Sequence, residues 1–204
     1  MKSLTVIRKY YYHYANNDGE GGQHFNCLIN MNKMRRLRRN EYHDKFISWT
    51  KDVLIDDNVP HDLFKKGVER CSGFDYDSKD LPILVRNSRY SSLILSALKN
   101  RKDREKHYVV QKYLIENPIT NMVISEIPIW SLRPRVGHMD LISFEEGAPS
   151  IVIWDYKPNL LGNEKTGLGQ IQLYQVMLAK LIEIPVTEIS CGTFDDKAEV
   201  ILVR

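Results

Sequence analysis

Residues 136–157 read VGHMDLISFEEGAPSIVIWDYK, and residues 169–175 read GQIQLYQ. β-Branched and aromatic residues dominate residues 150–156, which predicts a buried strand. Residues 137–144 have the same character, and the Glu-Glu-Gly-Ala-Pro segment between the two runs carries turn-forming residues. We therefore expect a β-hairpin, followed after a glycine-rich connection by a helix over residues 170–183.

Three ionisable side chains interrupt the apolar residues of this hairpin, namely Asp140, Asp155 and Lys157. Asp155 and Lys157 are two residues apart, so on a strand their side chains leave the same face. A buried charge is costly unless it is paired or bound to a metal. Two carboxylates and an ammonium near one point therefore predict a site for a hard divalent cation such as Mg²⁺, which prefers carboxylate, water and phosphate oxygens.

Three motifs follow one another in this region: Gly-His-Met-Asp ending at Asp140, Asp-Tyr-Lys ending at Lys157, and Gln170 with Tyr174 four residues later. In this order they resemble the G-x-x-D, (D/E)-x-K and Q-x-x-x-Y motifs of the PD-(D/E)XK nucleases, and more narrowly of their RecB-like branch. The resemblance covers roughly residues 106–182. It implies an α/β fold with a restriction-endonuclease-like αβββαβ core, a mixed central sheet and an N-terminal hairpin and helical elaboration.

The same resemblance implies a metal-dependent deoxyribonuclease that hydrolyses phosphodiester bonds. Asp140 and Asp155 would bind one or two Mg²⁺ or Mn²⁺ ions together with the main-chain carbonyl of Tyr156, and Lys157 would position the attacking water. RecB-like relatives often degrade DNA from its ends, so single-stranded DNA or DNA ends are the expected substrate, with exonuclease action and endonuclease action both open. The helix residues Gln170 and Tyr174 are implied to brace the site and to contact the DNA backbone.

Two histidines are candidates for a further metal ligand. RecB-like nucleases place a metal-binding histidine on the helix before the catalytic sheet, and His107 matches that place in order. His138 lies two residues before Asp140 and shares its strand face, so it is the rival ligand. An imidazole ligand would favour Mn²⁺ over Mg²⁺, because its nitrogen donor is softer than a carboxylate oxygen.

The segment before the hairpin adds further candidates. Residues 120–132 predict a third strand, in which Pro128 favours an edge or bulged position. Glu126 lies within this strand; a carboxylate there assists catalysis in some of the resembled nucleases, but a place on an edge face of the sheet is the simpler expectation. Arg133 and Arg135 directly precede the hairpin and are candidates for holding a phosphate.

The composition is that of an ordinary globular protein, with 204 residues, 43% of them hydrophobic and 27% charged, and a net charge of +3. This charge is too small to indicate nucleic-acid binding by itself, so a DNA path depends on local clusters of basic residues. No apolar run reaches the length of a membrane span and no signal-peptide pattern is present. We therefore expect a cytoplasmic protein with no membrane partner. In its small size and unfamiliar N-terminal region the protein resembles nucleases encoded by viruses of archaea. If it is viral, the expected location is the cytoplasm of the host.

The three cysteines are widely spaced and odd in number, which disfavours a disulfide framework. Some RecB-like nucleases, including the exonucleases of CRISPR adaptation, hold an iron–sulfur cluster with four cysteines. This chain departs from that pattern, so no iron–sulfur cluster is expected. The simpler interpretation is that Cys27, Cys71 and Cys191 are small buried apolar residues.

We expect an N-terminal hairpin and basic helical region at residues 1–80 and a nuclease core at residues 81–204, the two forming one compact unit. Residues 3–14 and 24–31 flank a turn-forming segment and predict a β-hairpin. The hairpin carries four tyrosines, Tyr10, Tyr11, Tyr12 and Tyr14. We expect them to pack within a small sheet rather than to stack on bases.

A single helix is predicted over residues 31–54. Its apolar residues recur at helical spacing and should face the core, and they are Phe46, Trp49, Val53 and Leu54. Basic residues are concentrated at its start, and they are Lys33, Arg35, Arg36, Arg38 and Arg39. This cluster either follows a phosphate backbone or forms a solvated helix face, and the sequence favours neither.

The middle and the end of the chain complete the predicted fold. Residues 61–71 predict a short helix, and residues 72–82 an acidic surface loop or a boundary. Residues 91–116 predict one long helix or two short ones, ended by Asn-Pro. Two closing strands are expected at residues 188–194 and 199–204.

Two other functions remain open at this point. One is a nucleic-acid-binding or protein-interaction module that keeps the nuclease fold without activity, against which the intact D…D-x-K pattern argues. The other is an enzyme that uses Lys157 as a nucleophile or base on a small substrate. The sequence contains no glycine-rich nucleotide-binding motif of the usual kinds, so a helicase partner would be external. A homo-oligomer is compatible with the sequence.

Overall fold

The computed structural model describes residues 5–16, 19–64, 69–71, 80–99, 106–131, 135–147 and 149–203. The side chains of residues 11–16, 19–23, 69 and 106 are not part of that description. Some predicted features therefore lie outside the described residues: Arg133, the tip of the N-terminal turn, the side chains of Tyr11, Tyr12 and Tyr14, and most of the acidic segment at 72–82.

The strands, in chain order, are β1 Thr5–Asn16, β2 Gly19–Asn30, β3 Glu69–Arg70, β4 Ile83–Asn87, β5 Met122–Trp130, β6 Arg135–Phe144, β7 Ile151–Tyr156, β8 Ile189–Phe194 and β9 Ala198–Leu202. The helices are α1 Met31–Leu37, α2 Glu41–Trp49, α3 Ser91–Leu98, α4 Lys106–Glu116 and α5 Leu168–Leu181. A π-helical turn at Thr50–Ile55 extends α2, and short 3₁₀ turns lie at His61–Phe64 and Val186–Glu188.

The strands form one mixed sheet in the order β1-β2-β5-β6-β7-β8-β9-β4, with β3 paired to β6. The hairpin strands β5, β6 and β7 are antiparallel, whereas β7 and β8 are parallel. A parallel pair needs a crossover connection, and α5 lies within it. The predicted α/β class with a mixed sheet is confirmed, and the narrower restriction-endonuclease-like core stays a prediction.

Helices cover both faces of this sheet because the apolar residues of its central strands alternate between two cores. On β7, Ile151 and Ile153 belong to a core that includes residues of α1, α2 and α5. Val152, Trp154 and Tyr156 belong to a second core that includes residues of α3 and α4. The end of the sheet nearest Asp155 is therefore reached by α5 from one side and by α4 from the other.

The predicted N-terminal hairpin is present. β1 and β2 pair in register from Thr5 opposite Asn30 to Asn16 opposite Gly19. β2 then pairs with β5 at Ile124 and Ser125, so the hairpin extends the central sheet. Tyr10 is buried and its hydroxyl donates to the carbonyl of Leu54, as expected of a packed tyrosine.

The single helix predicted over residues 31–54 is wrong. The backbone leaves the helical conformation at Arg38, and a new helix begins at Glu41. Asn40 adopts an extended conformation and its side-chain oxygen accepts the N–H of His43, which is an ordinary N-cap. The two helices and the π-helical turn still place Phe46, Trp49 and Leu54 in the core, with Val53 packed against it.

Lys33 is not part of a solvated or phosphate-binding face, contrary to both interpretations of the basic cluster. It is buried, and burial, with a smaller contribution from Arg36, lowers its pKa to about 7. Its Nζ donates to the last carbonyls of α4 and to a nearby hydroxyl, on Leu114, Ile115, Asn117 and Thr120. Lys33 therefore caps the end of α4, whose final carbonyls have no partner within the helix.

Two further expectations need correction. β5 is not an edge strand, because it lies between β2 and β6; its irregularity falls between Met122 and Ile124 rather than at Pro128. The short helix expected over 61–71 is limited, within the described residues, to the turn at His61–Phe64, and Glu69–Arg70 form β3.

The other predicted elements agree with the structure, and β4 was not predicted. The described residues of 91–116 form α3 and α4, and the closing strands are β8 and β9. The three cysteines are buried, and none of them forms a disulfide. None of the helices in the described part of the chain has the length and apolar character needed to cross a membrane.

Candidate active site

Asp140 and Asp155 meet where β6 and β7 stop pairing. The ladder between the two strands runs from Phe144 opposite Ile151 to Leu141 opposite Trp154. One residue further, Asp140 Oδ2 accepts the main-chain N–H of Tyr156 at 3.1 Å. The carboxylate of Asp140 thus accepts the N–H that a backbone carbonyl of a paired strand would otherwise accept. In this position Asp140 lies against Asp155 and shares a hydrogen bond with it.

Lys157 completes this group from the next position on the same face. Its Nζ lies 2.9 Å from Asp155 Oδ2, and the two side chains are 32% and 10% exposed. Gly167, the residue before α5, approaches both of them: a Cβ there would lie 3.0 Å from Asp155 Oδ2 and 3.0 Å from Lys157 Cε. Gly167 also has a φ of +80°, which a larger residue rarely adopts. The three charged residues singled out in the sequence therefore converge.

Burial and mutual repulsion determine how protons are distributed over the two aspartates. Burial, and then the charge of Asp140, raise the pKa of Asp155 well above its usual range, and Lys157 offsets this only in part. Burial also acts to raise the pKa of Asp140, but polar contacts with His107 and Asp155 hold it at about 2. Burial favours neutral Lys157, yet Asp155 keeps its pKa above the usual value. The pKa values of the two carboxyl groups are therefore driven apart, upward at Asp155 and downward at Asp140.

A second group, Glu126 and His138, lies beside Asp140. One side-chain ligand atom of each of the three residues lies within 4.8 Å of the other two, as in a metal-binding cluster. Glu126 comes from β5 with a φ of 51°, a left-handed value that costs a non-glycine residue backbone energy. This local strain turns the Glu126 side chain toward His138 and Asp140, 3.5 Å from the imidazole of His138.

Glu126 is held by a single neutral hydrogen bond. The buried amide of Gln111, on α4, donates to Glu126 Oε1 at 2.6 Å. The other oxygen, Oε2, is buried, makes no hydrogen bond among the described residues and lies 3.5 Å from Nε2 of His138. Burial, followed by the charge of Asp140, raises the pKa of Glu126 to about 8. A buried ionised carboxylate is costly, so Glu126 is suited to binding a cation, which would stabilise its charged form.

Both candidate histidines flank Asp140. His138 is largely buried, packs on Phe25 at a ring distance of 4.2 Å, and has its pKa lowered by burial to about 4, so it is a neutral imidazole. His107 extends from α4 on the other side, with its Nδ1 3.7 Å from Asp140 Oδ2 and its ring against that of Tyr156. A neutral imidazole is the form that binds a metal, so His138 has the required protonation state.

Gln170 and Tyr174 brace the site from α5. The amide of Gln170 donates to the Tyr174 hydroxyl one turn further on. Tyr174 is buried and packs directly against Gly137 of the G-x-x-D motif. Tyr174 is thus too enclosed to present its ring to a ligand, whereas Gln170 is half-buried at the margin of the cavity.

The converging groups lie in an open cavity of about 430 Å³. Its walls come from β2, α4 and α5, and it is lined by His24, Phe25, Asn26, His107, Tyr108, Glu126, His138, Asp140, Asp155, Lys157, Gln170, Ile171 and Tyr174. Arg135 does not line this cavity but a different one, of about 650 Å³, beside Trp130 and Lys180. Arg135 is therefore not placed to hold a phosphate at the carboxylates.

Several residues of this cavity were not anticipated from the sequence. Glu126 was expected on an edge face, although a charge within the apolar run MVISEIPIW was a usable signal for a site residue. The cavity residues His24, Asn26 and Tyr108 had no such signal, and neither had Gln111, which lies behind Glu126, because they come from elements that are polar on one side anyway.

No protein-family model matches the sequence, and comparison with curated proteins and with solved structures gives no match either. The geometry of the site is therefore the basis on which a function can be assigned.

Proposed function

We propose that the protein is a metal-dependent deoxyribonuclease of the PD-(D/E)XK type, which hydrolyses phosphodiester bonds in single-stranded DNA or at DNA ends. The observation that carries the proposal is the convergence of Asp140, Asp155 and Lys157 in one open cavity. Two buried carboxylates and one ammonium at the same point are costly for stability, which makes a structural role for all three a poor explanation.

A divalent cation fits the residues that are present. Three kinds of group here would be stabilised by a cation: Glu126 Oε2, which makes no hydrogen bond among the described residues, the repelling carboxylates of Asp140 and Asp155, and the neutral imidazole of His138. Asp140 and Asp155 would hold the ion, with Glu126 and His138 on one side and His107 or the Tyr156 carbonyl as further ligands. Mg²⁺ suits the carboxylates, and a bound imidazole would shift the preference toward Mn²⁺. When bound, the cation supplies positive charge that polarises a phosphoryl oxygen and lowers the pKa of water.

The protein's own residues then have separate roles. Asp140 is held by the N–H of Tyr156 and has a low pKa, so it stays an anionic ligand over the whole neutral range. Lys157 keeps its charge through Asp155 and is only one-third exposed, so its ammonium can hydrogen-bond to a water or to a phosphate oxygen. Positive charge held in a partly desolvated site stabilises the negative charge that develops on a phosphate during in-line attack.

The decisive experiment is cleavage of end-labelled single-stranded and double-stranded DNA with Mg²⁺, with Mn²⁺ and with EDTA. Asp155→Asn and Lys157→Ala should each reduce the rate by at least about 100-fold, because each removes a group that acts on the transition state. The matched controls are Asp56→Asn and Lys112→Ala, which change exposed residues of the same types outside the cavity. Undiminished cleavage by both site variants would overturn the proposal.

The alternative function, an inactive module that keeps the fold, is separated by calorimetric titration with Mn²⁺. An active nuclease must bind the ion, and Asp140→Asn should abolish the binding heat. A protein that binds DNA but neither binds Mn²⁺ nor cleaves would support the inactive module.

A further inference from the structure

The N-terminal hairpin forms one wall of the proposed active-site cavity. His24, Phe25 and Asn26 of β2 all line the cavity. Phe25 is buried and packs against His138, so it is part of the support for that imidazole. His24 and Asn26 project from the opposite face of β2, since successive residues of a strand alternate.

That opposite face of β2 is the one on which α4 lies. Leu28, which shares the face of His24 and Asn26, packs in the core together with Val110 and Leu114 of α4. Tyr108, at the beginning of α4, lines the same cavity and is 38% exposed. Two aromatic residues, His24 from the hairpin and Tyr108 from the helix, therefore border one cavity, together with Asn26.

This aromatic pair lies directly beside the charged groups. Tyr108 follows His107, whose Nδ1 is 3.7 Å from Asp140 Oδ2. In a nucleotide the base is joined through one sugar to the phosphate, so a strand with its phosphate at Asp140 brings the adjoining base to the neighbouring wall. Aromatic rings stack on any base, and an amide can hydrogen-bond to a base edge.

We infer that His24, Asn26 and Tyr108 form a binding site for one unpaired nucleobase, next to the phosphate at Asp140. This inference rests on the proposed function and extends it, since it assigns substrate selection to the hairpin and α4. A base inside a duplex has both faces stacked and its pairing edge occupied, so it cannot enter such a site. A cavity of about 430 Å³ is at the small end of ligand sites, which fits one nucleotide of a single strand.

The test is the affinity for a fluorescein-labelled oligothymidine of about twelve nucleotides, measured by anisotropy with Mn²⁺ bound and with Lys157→Ala present in every protein compared, so that cleavage is slow. Tyr108→Ala and His24→Ala should each weaken binding by about 5- to 150-fold, as expected for the loss of one base–aromatic stack. Tyr108→Phe keeps the ring and should bind like Lys157→Ala alone. The control is Tyr113→Ala, because Tyr113 lies on the same helix, is 37% exposed and does not line the cavity.

An oligonucleotide with abasic sites gives a second readout. Lys157→Ala alone should bind it more weakly than oligothymidine, whereas Tyr108→Ala should not distinguish the two. Equal affinities of Tyr108→Ala and Tyr113→Ala for oligothymidine would overturn the inference, as would tighter binding of a duplex than of the single strand. Tighter binding of oligouridine would overturn DNA as the nucleic acid concerned.

Failure of this inference is distinguishable from failure of the proposed function. Hydrolysis of bis(p-nitrophenyl) phosphate with Mn²⁺ requires the carboxylates and Lys157 but no nucleobase. If hydrolysis depends on Lys157 but DNA affinity does not depend on Tyr108, only the base-binding site is contradicted. If DNA affinity depends on Tyr108 but neither DNA nor bis(p-nitrophenyl) phosphate is hydrolysed, only the nuclease proposal is contradicted.

Discussion

A Cβ atom placed on Gly137 would lie 2.5 Å from the hydroxyl oxygen of Tyr174 and 2.7 Å from its Cε1. The glycine of the G-x-x-D motif and the tyrosine of the Q-x-x-x-Y motif are thus two halves of one contact between β6 and α5. This contact sets how closely α5 approaches β6, the strand that carries Asp140. Gly137 lies three residues before Asp140, and Tyr174 lies seventeen residues after Lys157. Their contact therefore joins the two chain segments that carry the charged groups of the site.

The first prediction concerns this contact. Gly137→Ala should destabilise the protein by about 1–3 kcal/mol, because the ring of Tyr174 and the backbone of α5 have to move. Cleavage per folded molecule should also fall. The matched control is Gly147→Ala, since a Cβ at Gly147 meets nothing within 4 Å and its cost is confined to the positive φ of a turn. Urea unfolding combined with the cleavage rate checks both, and a Gly137→Ala protein with full activity would contradict the bracing role.

The second prediction concerns metal binding. Mn²⁺ at about 100 times its Kd should raise the midpoint of thermal unfolding by about 5–10 °C, because a ligand of the native state stabilises it by mass action. Asp140→Asn should lose this increase, whereas Asp56→Asn should keep it. Differential scanning calorimetry with and without the ion measures the effect. An equal increase in both variants would place the ion elsewhere.

The third prediction concerns Glu126 in the metal-free protein. Its folded pKa of about 8 lies above its ordinary value, so its contribution to stability is complete at low pH and is lost as the pH rises through about 8. Glu126→Gln cannot ionise and should escape this loss. In EDTA, the thermal midpoint of Glu126→Gln relative to the unaltered protein should therefore increase from about pH 6.5 to about pH 8.5.

This pH range avoids the neighbouring histidine. The pKa of His138 is lowered to about 4, so its contribution changes between that value and its ordinary value near 6.5, below the range used. Groups such as Lys33 titrate equally in both proteins and cancel in the comparison. A midpoint difference that stays constant with pH would show that Glu126 is ionised in the folded protein.

The fourth prediction concerns Gln111, which orients Glu126. Gln111→Met removes the hydrogen bond to Glu126 Oε1, and this bond lowers the pKa of that carboxyl. The pKa of Glu126 should rise further, and the Mn²⁺ affinity should fall by about 10- to 100-fold, as is usual when a residue behind a metal ligand is replaced. Gln172→Met on the exposed side of α5 is the control. Titration calorimetry at two pH values separates this effect from a general loss of structure, since the deficit should shrink at higher pH.

The hairpin of β6 and β7 was predictable because the pattern that indicates it is local in sequence. Residues 151–156 are apolar or aromatic except for Asp155, and a charge in such a run requires a partner whatever the rest of the fold is. The spacing of Asp155 and Lys157 then determines that they share a face. The break between α1 and α2 was equally local, because Asn40 before Glu41 is an N-cap pattern, but the long run of helix-forming residues outweighed it.

Other features depend on contacts that are distant in sequence. Lys33 is one basic residue among several until α4, more than 80 residues later, ends against it. β4 is exposed at most of its positions, so it carries no alternating pattern that would have revealed it. The wall formed by His24 and Tyr108 exists only because β2 joins β5 at the centre of the sheet.

The central claim, hydrolysis of DNA by a metal held at two carboxylates with Lys157 acting on the phosphate, is tested most directly by Lys157→Ala. The measurement is Mn²⁺ binding and single-turnover cleavage of single-stranded DNA on the same preparation. We expect the variant to bind Mn²⁺ within a few-fold of the unaltered protein and to cleave at least about 100-fold more slowly. Cleavage at the original rate by a variant that binds the ion would contradict the account.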